Sequence, residues 1–203
     1  RDRFCYCSLI YIISPIEKNN SFIMFTMCYT RSSITDISLF RKSELRDEGG
    51  NKMGKIMAVN ISEKKGTQKK NVHSVRLMEE FGIEKDAHAG KWHRQVSLLS
   101  YEKIEEFKAK GAPIEDGAFG ENLIVSGYDL KALPVGTRLR SGEVLLEVTQ
   151  IGKKCHSGCE IYKIMGDCIM PREGIFTRVL HGGVLTEGDE IVIEKAAGEA
   201  DGE

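Results

Sequence analysis

The chain has 203 residues, 41% hydrophobic and 29% charged, enough for one medium-sized soluble domain with a real core. A formal net charge of −1 excludes binding of nucleic acid or an anionic membrane through an overall basic field, so any anion must be held locally. Six unevenly placed cysteines are too few for a secreted disulfide framework and point to a reducing, cytoplasmic compartment.

Residues 1–52 contain neither Ala nor Val, begin with Arg and show no sustained strand or helix period. The apolar run from Phe4 to Ile16 is shorter than the ~18 residues a spanning helix needs. It contains Pro15 and lacks a small-residue cleavage site. Glu48-Gly49-Gly50 can be encoded by a ribosome-binding sequence, separated from Met53 by only Asn51 and Lys52. Residues 1–52 are therefore expected to be upstream sequence read in frame, the alternative being a disordered arm. The domain proper is then 53–195, and the small, polar stretch 196–203 is a mobile tail.

The segment GKIMAVNIS (54–62) predicts an opening strand, followed by EKKGTQKK, a loop whose Lys64, Lys65, Lys69 and Lys70 are expected to be solvated. RQVSLLS (94–100) predicts a second strand. Ser100 then caps a helix carrying Tyr101, Ile104 and Phe107 at helical spacing, with Gly111 as its stop. Beyond it, ENLIVSG, TRLRSG, EVLLEVTQIG, GIFTRVLHGG and DEIVIEK are short β-rich runs separated by Gly-containing turns, and CEIYKIMG suits a short helix. The fold class is mainly β, a mostly antiparallel barrel or sandwich. No Walker or dinucleotide spacing occurs.

Two clusters carry chemistry. Ahead of the second strand stand Asp86, His88, His93 and Arg94. The imidazoles suit metal ligation, anion orientation or turn capping, and the planar fork of Arg94 suits phosphate. The other cluster is VLLEVTQIGKKCHSGCEIY (144–162), in which Lys153 and Lys154 precede Cys155 at a strand end. Neighbouring cations lower a thiol pKa, and the thiolate is the form that attacks sulfur or binds a soft metal. Three readings stand: a reactive or metal-binding sulfur at Cys155; a zinc site from Cys155, His156, Cys159 and Cys168; or inert buried thiols.

DAHAG followed by RQVSLLS, then GAFGENLIVSGYDL, LPVGTRLRSGEVLLEVTQIGKKC and GIFTRVLHGGVLTEGDEI, in that order, resemble the MOSC domain, the module named for the C-terminal part of molybdenum-cofactor sulfurase. The resemblance covers about residues 54–195, as in a stand-alone bacterial-type member. It implies a β-barrel with a few short peripheral helices. It also implies a molybdenum cofactor (molybdopterin), with Cys155 as persulfide carrier or molybdenum ligand, and a pocket lined by Asp86, His88, Arg94, Gly120, Glu121, Asn122, Lys153 and Lys154. Two departures stand out: Lys85 replaces the Gly that often precedes the Asp of the family's Gly-Asp-x-His, and Gly152 and Lys154 replace the Arg and Pro often found before the cysteine. The chain carries neither a desulfurase nor an iron–sulfur domain. The resemblance therefore implies a sulfur transferase or molybdenum-dependent oxidoreductase that works with a sulfur donor or with cofactor-biosynthesis or acceptor proteins, and with neither nucleic acid nor membrane. Reduction of N-hydroxylated compounds is the first alternative activity, and a noncatalytic zinc-binding module the second.

Overall fold

Strict alternation along VLLEVTQI sends Val144, Leu146 and Val148 to one face and Leu145, Glu147 and Thr149 to the other, as a sheet curved around a core requires. The computed structural model describes residues 52–111, 114–154, 162–163 and 166–195, all within one unit, residues 44–203. Its strands are β1 (Met53–Ile61), β2 (Lys70–Asn71), β3 (Ser74–Met78), β4 (Gly82–Ile83), β5 (Val96–Ser100), β6 (Leu123–Ser126), β7 (Arg138–Ser141), β8 (Val144–Ile151), β9 (Ile175–His181), β10 (Gly183–Thr186) and β11 (Glu190–Lys195).

Seven of them close into a barrel in the order β11, β7, β8, β9, β5, β6, β1, with β1 pairing back onto β11 and β2 extending β1 outside the ring. Closure removes the exposed edges an open sheet would present. All pairings around the ring are antiparallel except β5 with β6. Those two parallel strands are joined through α1 (Tyr101–Lys108), as a parallel pair demands. β10, β3 and β4 form a separate three-stranded sheet.

The core has two layers. Ile56, Val96, Leu98, Leu123, Leu139, Leu146 and Val179 fill the barrel. A second cluster lies on the outer wall, where Ala58, Leu99 and Ile124 pack against Ile104 and Phe107 of α1, and against Phe119, Ile169 and Met170. β5 is buried along its whole length because both its faces are covered, which explains its unbroken apolar run.

Each expected strand is present, its ends within two residues of those expected. Ser100 does precede α1, but its side chain makes no cap bond. Its Oγ instead lies 2.9 Å from both the Glu102 carboxylate and the Tyr128 carbonyl oxygen. The helix expected over 159–166 falls mostly outside the described residues, although Tyr162 and Lys163 are helical. A second short helix, α2 (Met170–Glu173), begins with Pro171 inside its first turn, where the missing N–H costs no helical bond. No helix among the described residues is long and apolar enough to cross a membrane.

Candidate functional site at the barrel rim

The register of β8 against β9 shifts between Val148 and Gln150, a bulge that bends the end of β8. The chain then turns at Gly152, whose φ is +66° and on which any Cβ would collide with the Pro171 carbonyl oxygen. Glycine is required there on both counts. The Gly152 N–H donates to the Gly174 carbonyl (2.7 Å) and the Lys153 N–H to that of Pro171 (3.3 Å). The strand that leads to Cys155 is thus pinned to α2. Cys155, His156 and Cys159 lie outside the described residues.

Beside this strap, Lys153 Nζ lies 6.0 Å from the Phe176 ring centroid. Arg94 sits between two aromatic rings, 4.8 Å from Trp92 and 5.6 Å from Phe176, with its Nε buried and without a hydrogen-bond partner. Trp92 is itself fixed through its indole N–H, which donates to the His88 carbonyl (3.0 Å). Arg94, Lys153 and the 86–88 loop therefore form one end of the barrel.

At the base of that loop Asp86, with a fully buried side chain, meets Lys69 at 2.5 Å. Its carboxylate also accepts the Ser62 N–H (3.0 Å) and the His88 N–H (3.1 Å). Burial alone would raise its pKa, but the Lys69 hydrogen bond, these two N–H donors and the Lys69 charge hold it below the ordinary carboxylate value. Burial lowers the pKa of Lys69, against the hydrogen bond and charge of Asp86. The lysine expected in a solvated loop is therefore 1% exposed. That expectation fails because the Lys69 N–H donates to Gly117 (3.2 Å), folding the loop back over the 117–121 turn and carrying its side chain inward. Lys64, Lys65 and Lys70 remain exposed.

His88 is half-buried; burial first, then the charges of Lys69, Lys153 and Lys65, lower its pKa, opposed by Asp86. Both burial and the neighbouring lysines thus favour the neutral imidazole. His93 is exposed, with Nε2 3.0 Å from the Gln150 side-chain oxygen. An open groove of about 480 Å³ lies beside it and Trp92, bordered by Glu147, Thr149 and Arg178; it includes none of Lys69, Asp86, His88, Arg94 or Lys153.

The 120–122 residues hold the architecture. Gly120 turns with φ +82°, and its carbonyl accepts the Ser97 Oγ–H at 3.2 Å. The Glu121 carboxylate is fully buried and accepts the Gly117 and Phe119 N–H groups (2.8 and 3.0 Å). Burial pushes its pKa up to about 7 despite those bonds. Asn122 accepts the Ser97 N–H and donates to the Asn60 carbonyl, tying β1, β5 and β6 together. Their polar atoms engage the backbone beneath the rim. Lys154, exposed, ends the described strap. Cys168 is buried among Ile169, Met170 and Phe176 in the outer cluster. Among the described residues no three His, Cys, Asp or Glu side chains come together as a metal cage.

Sequence reasoning missed Lys69, Trp92 and Phe176. Lys69 had one indirect signal: a buried Asp86 needs a counter-charge, and the lysines of the 64–70 loop were among the candidates, along with Lys85 and Lys91. Nothing local marks Phe176 or Trp92 as the two rings that hold an arginine.

Residues 85–192 match the family model of the MOSC domain. The fold is similar to the crystal structure of the YuaD protein from Bacillus subtilis, at 24% identity and a TM-score of 0.59, covering 68% of this chain and 94% of that one. It is also similar to that of YiiM from Geobacillus stearothermophilus, at 22% identity and a TM-score of 0.55, over 70% of this chain and 75% of that one. At these identities the likeness concerns the fold alone. No curated protein matches the sequence.

Proposed function

This chain belongs to the MOSC domain family, a family associated with molybdenum-cofactor binding, and from that premise we propose that its cationic rim binds the molybdenum cofactor, with Cys155 as thiolate ligand or persulfide carrier. The observation that carries the reading is the convergence of Lys69, His88, Arg94 and Lys153 on the end of the barrel where the strap leads to Cys155.

The residues present suit such a group. Arg94 offers a buried Nε without a partner, and a guanidinium held between rings is preorganised for a phosphate oxygen. Lys153 adds a second cation, and Lys154 a third at the strap's end. Asp86 and His88 shape the floor; Gly120, Glu121 and Asn122 hold the turn beneath it. A thiolate at 155 suits a soft metal, and the two lysines that precede it in sequence, Lys153 and Lys154, favour the thiolate over the thiol. When bound, the cofactor supplies the redox metal chemistry.

As a sulfur carrier, the Cys155 thiolate attacks the outer sulfur of a donor persulfide. The donor's S–S bond breaks, the donor leaves as a thiolate, and Cys155 holds the new S–S bond. Such a chain works in the cytoplasm beside a sulfur-donor and an acceptor protein.

The test is molybdenum, zinc and sulfane-sulfur analysis of the full chain, made anaerobically in a cofactor-producing host, beside Cys155→Ala. Molybdenum or sulfane sulfur present in the parent and lost in the variant supports the reading, and turnover of an N-hydroxylated compound with a viologen reductant would extend it to a reductase. Stoichiometric zinc in the parent that is lost in the variant, with neither molybdenum nor sulfane sulfur in the parent, refutes it in favour of the zinc module.

A further inference from the structure

Lys69 touches His88 as well as Asp86, and this second contact bears on which imidazole nitrogen carries the proton. Lys69 Nζ lies 3.4 Å from His88 Nδ1. An ammonium has three donors and no acceptor, so Nδ1 must accept. The competing arrangement, Nδ1–H donating to Asp86, meets an oxygen 3.8 Å away, beyond hydrogen-bond reach. That same Asp86 oxygen, Oδ2, already accepts the His88 backbone N–H at 3.1 Å, which fixes the loop and leaves the ring to Lys69.

We propose that Lys69 is a positioning residue that holds His88 as the neutral Nε2–H tautomer, making the His88 ring a fixed, uncharged hydrogen-bond donor at the rim. Nδ1 faces a lysine that is 1% exposed, whereas the His88 side chain is 35% exposed. The nitrogen left for a ligand is therefore Nε2. The charged groups that act on the ring are Lys69, Lys153 and Lys65 on one side of the balance and Asp86 on the other. Three cations against one carboxylate resist a further positive charge, and the rim keeps a donor that binds an oxygen atom without adding charge beside Arg94 and Lys153. That this oxygen belongs to the cofactor or to an oxyanion bound with it rests on the reading above; the tautomer does not.

The experiment is long-range 15N–1H NMR of the full chain labelled at histidine, with His88 assigned by His88→Gln, titrated over about pH 5 to 9. The expected result at neutral pH is a bare Nδ1 and a protonated Nε2, with a charge-assisted hydrogen bond favouring that tautomer by on the order of tenfold or more. An Nδ1–H tautomer, an even mixture, or an imidazolium persisting at pH 7 overturns the proposal. Lys69→Met alone strands a buried carboxylate, so the diagnostic variant is Lys69→Met with Asp86→Asn, which removes both charges together. It should lower the Nε2–H excess of His88 towards that of an unconstrained histidine, while Lys69→Arg, which keeps a cationic donor, should preserve the full excess. An unchanged excess in the double variant overturns the role of Lys69. Cys155→Ala serves as the separate control: it should leave the His88 tautomer unchanged while losing molybdenum or sulfane sulfur. Failure of the cysteine reading and failure of this one then register in different measurements.

Discussion

Replacing Lys69 by methionine keeps most of the side-chain volume and removes one charge from a pair whose side chains are 1% and 0% exposed. At 2.5 Å and an effective dielectric of about 20, the lost attraction is roughly 7 kcal/mol. Part of this is offset, because the methionine incurs no desolvation penalty and Asp86 keeps the Ser62 and His88 N–H bonds. Breaking a buried pair from one side costs about 3–5 kcal/mol, and those two remaining donors place the expected loss near ~3 kcal/mol. A lysine in a solvated loop would cost at most ~1 kcal/mol. The pH dependence sharpens the test. In the parent, the Asp86 pKa is lowered, so its contribution is present above its unfolded value and is lost as pH falls through the folded one. In the variant, burial without a counter-charge raises that pKa, so the folded state holds a proton the unfolded state releases, and stability falls as pH rises. The deficit should therefore be largest at neutral pH and narrow in acid. Urea denaturation of parent and variant at several pH values reads this directly. A loss under ~1 kcal/mol at neutral pH, or a deficit that does not shrink in acid, would refute the assignment of Lys69 and Asp86 as a buried ion pair.

Gly152→Ala forces a Cβ onto the Pro171 carbonyl oxygen at a positive φ and should cost about 2–4 kcal/mol in urea denaturation, with loss of cofactor or sulfane-sulfur loading. Lys85 adopts φ +66°, the left-handed region that favours glycine, so Lys85→Gly should leave thermal stability equal or raised by up to ~1 kcal/mol, the gain being limited by the freer unfolded chain. Glu121, with a folded pKa of about 7 against an ordinary 4.5, holds a proton in the folded state across that window. Parental stability should fall by up to ~3 kcal/mol as pH rises from 4.5 to 7. Glu121→Gln should flatten that slope in pH-dependent denaturation, at a fixed cost of about 1–3 kcal/mol for the N–H left facing an amide NH2.

The barrel was legible because its longer strands carry their own period: Val144 to Val148 alternates cleanly, and Val96–Ser100 reads as a run buried on both faces. The sheet of β3, β4 and β10 was not, although Val75 and Leu77 alternate with exposed Ser74 and Arg76, because its strands are short and the partner of Leu77 is Gly183, more than a hundred residues away. Site residues divide in the same way. The motif residues Asp86, His88 and Arg94 were found as a cluster because they are close in sequence. Lys69 was hidden because a lysine amid lysines carries no local mark of burial; only the tertiary approach of Gly117 turns it inward. Glu121 and Asn122 were legible as important but not as to why, since hydrogen bonds to the backbone of other segments leave no periodic trace.

The two hydrogen bonds from Gly152 and Lys153 to Gly174 and Pro171 bring together the two ends of one excursion of the chain, residues 154–170. The excursion begins and ends at the same clamp, so a change in its length is absorbed there, provided that Cys168, Ile169 and Met170 keep their places in the outer-wall core. Lengthening a closed loop is thermodynamically mild, about 0.6 kcal/mol for each doubling. The clamp thereby parts the scaffold from the chemistry: an engineer can vary the length of the sulfur-bearing segment while the barrel register stays unchanged.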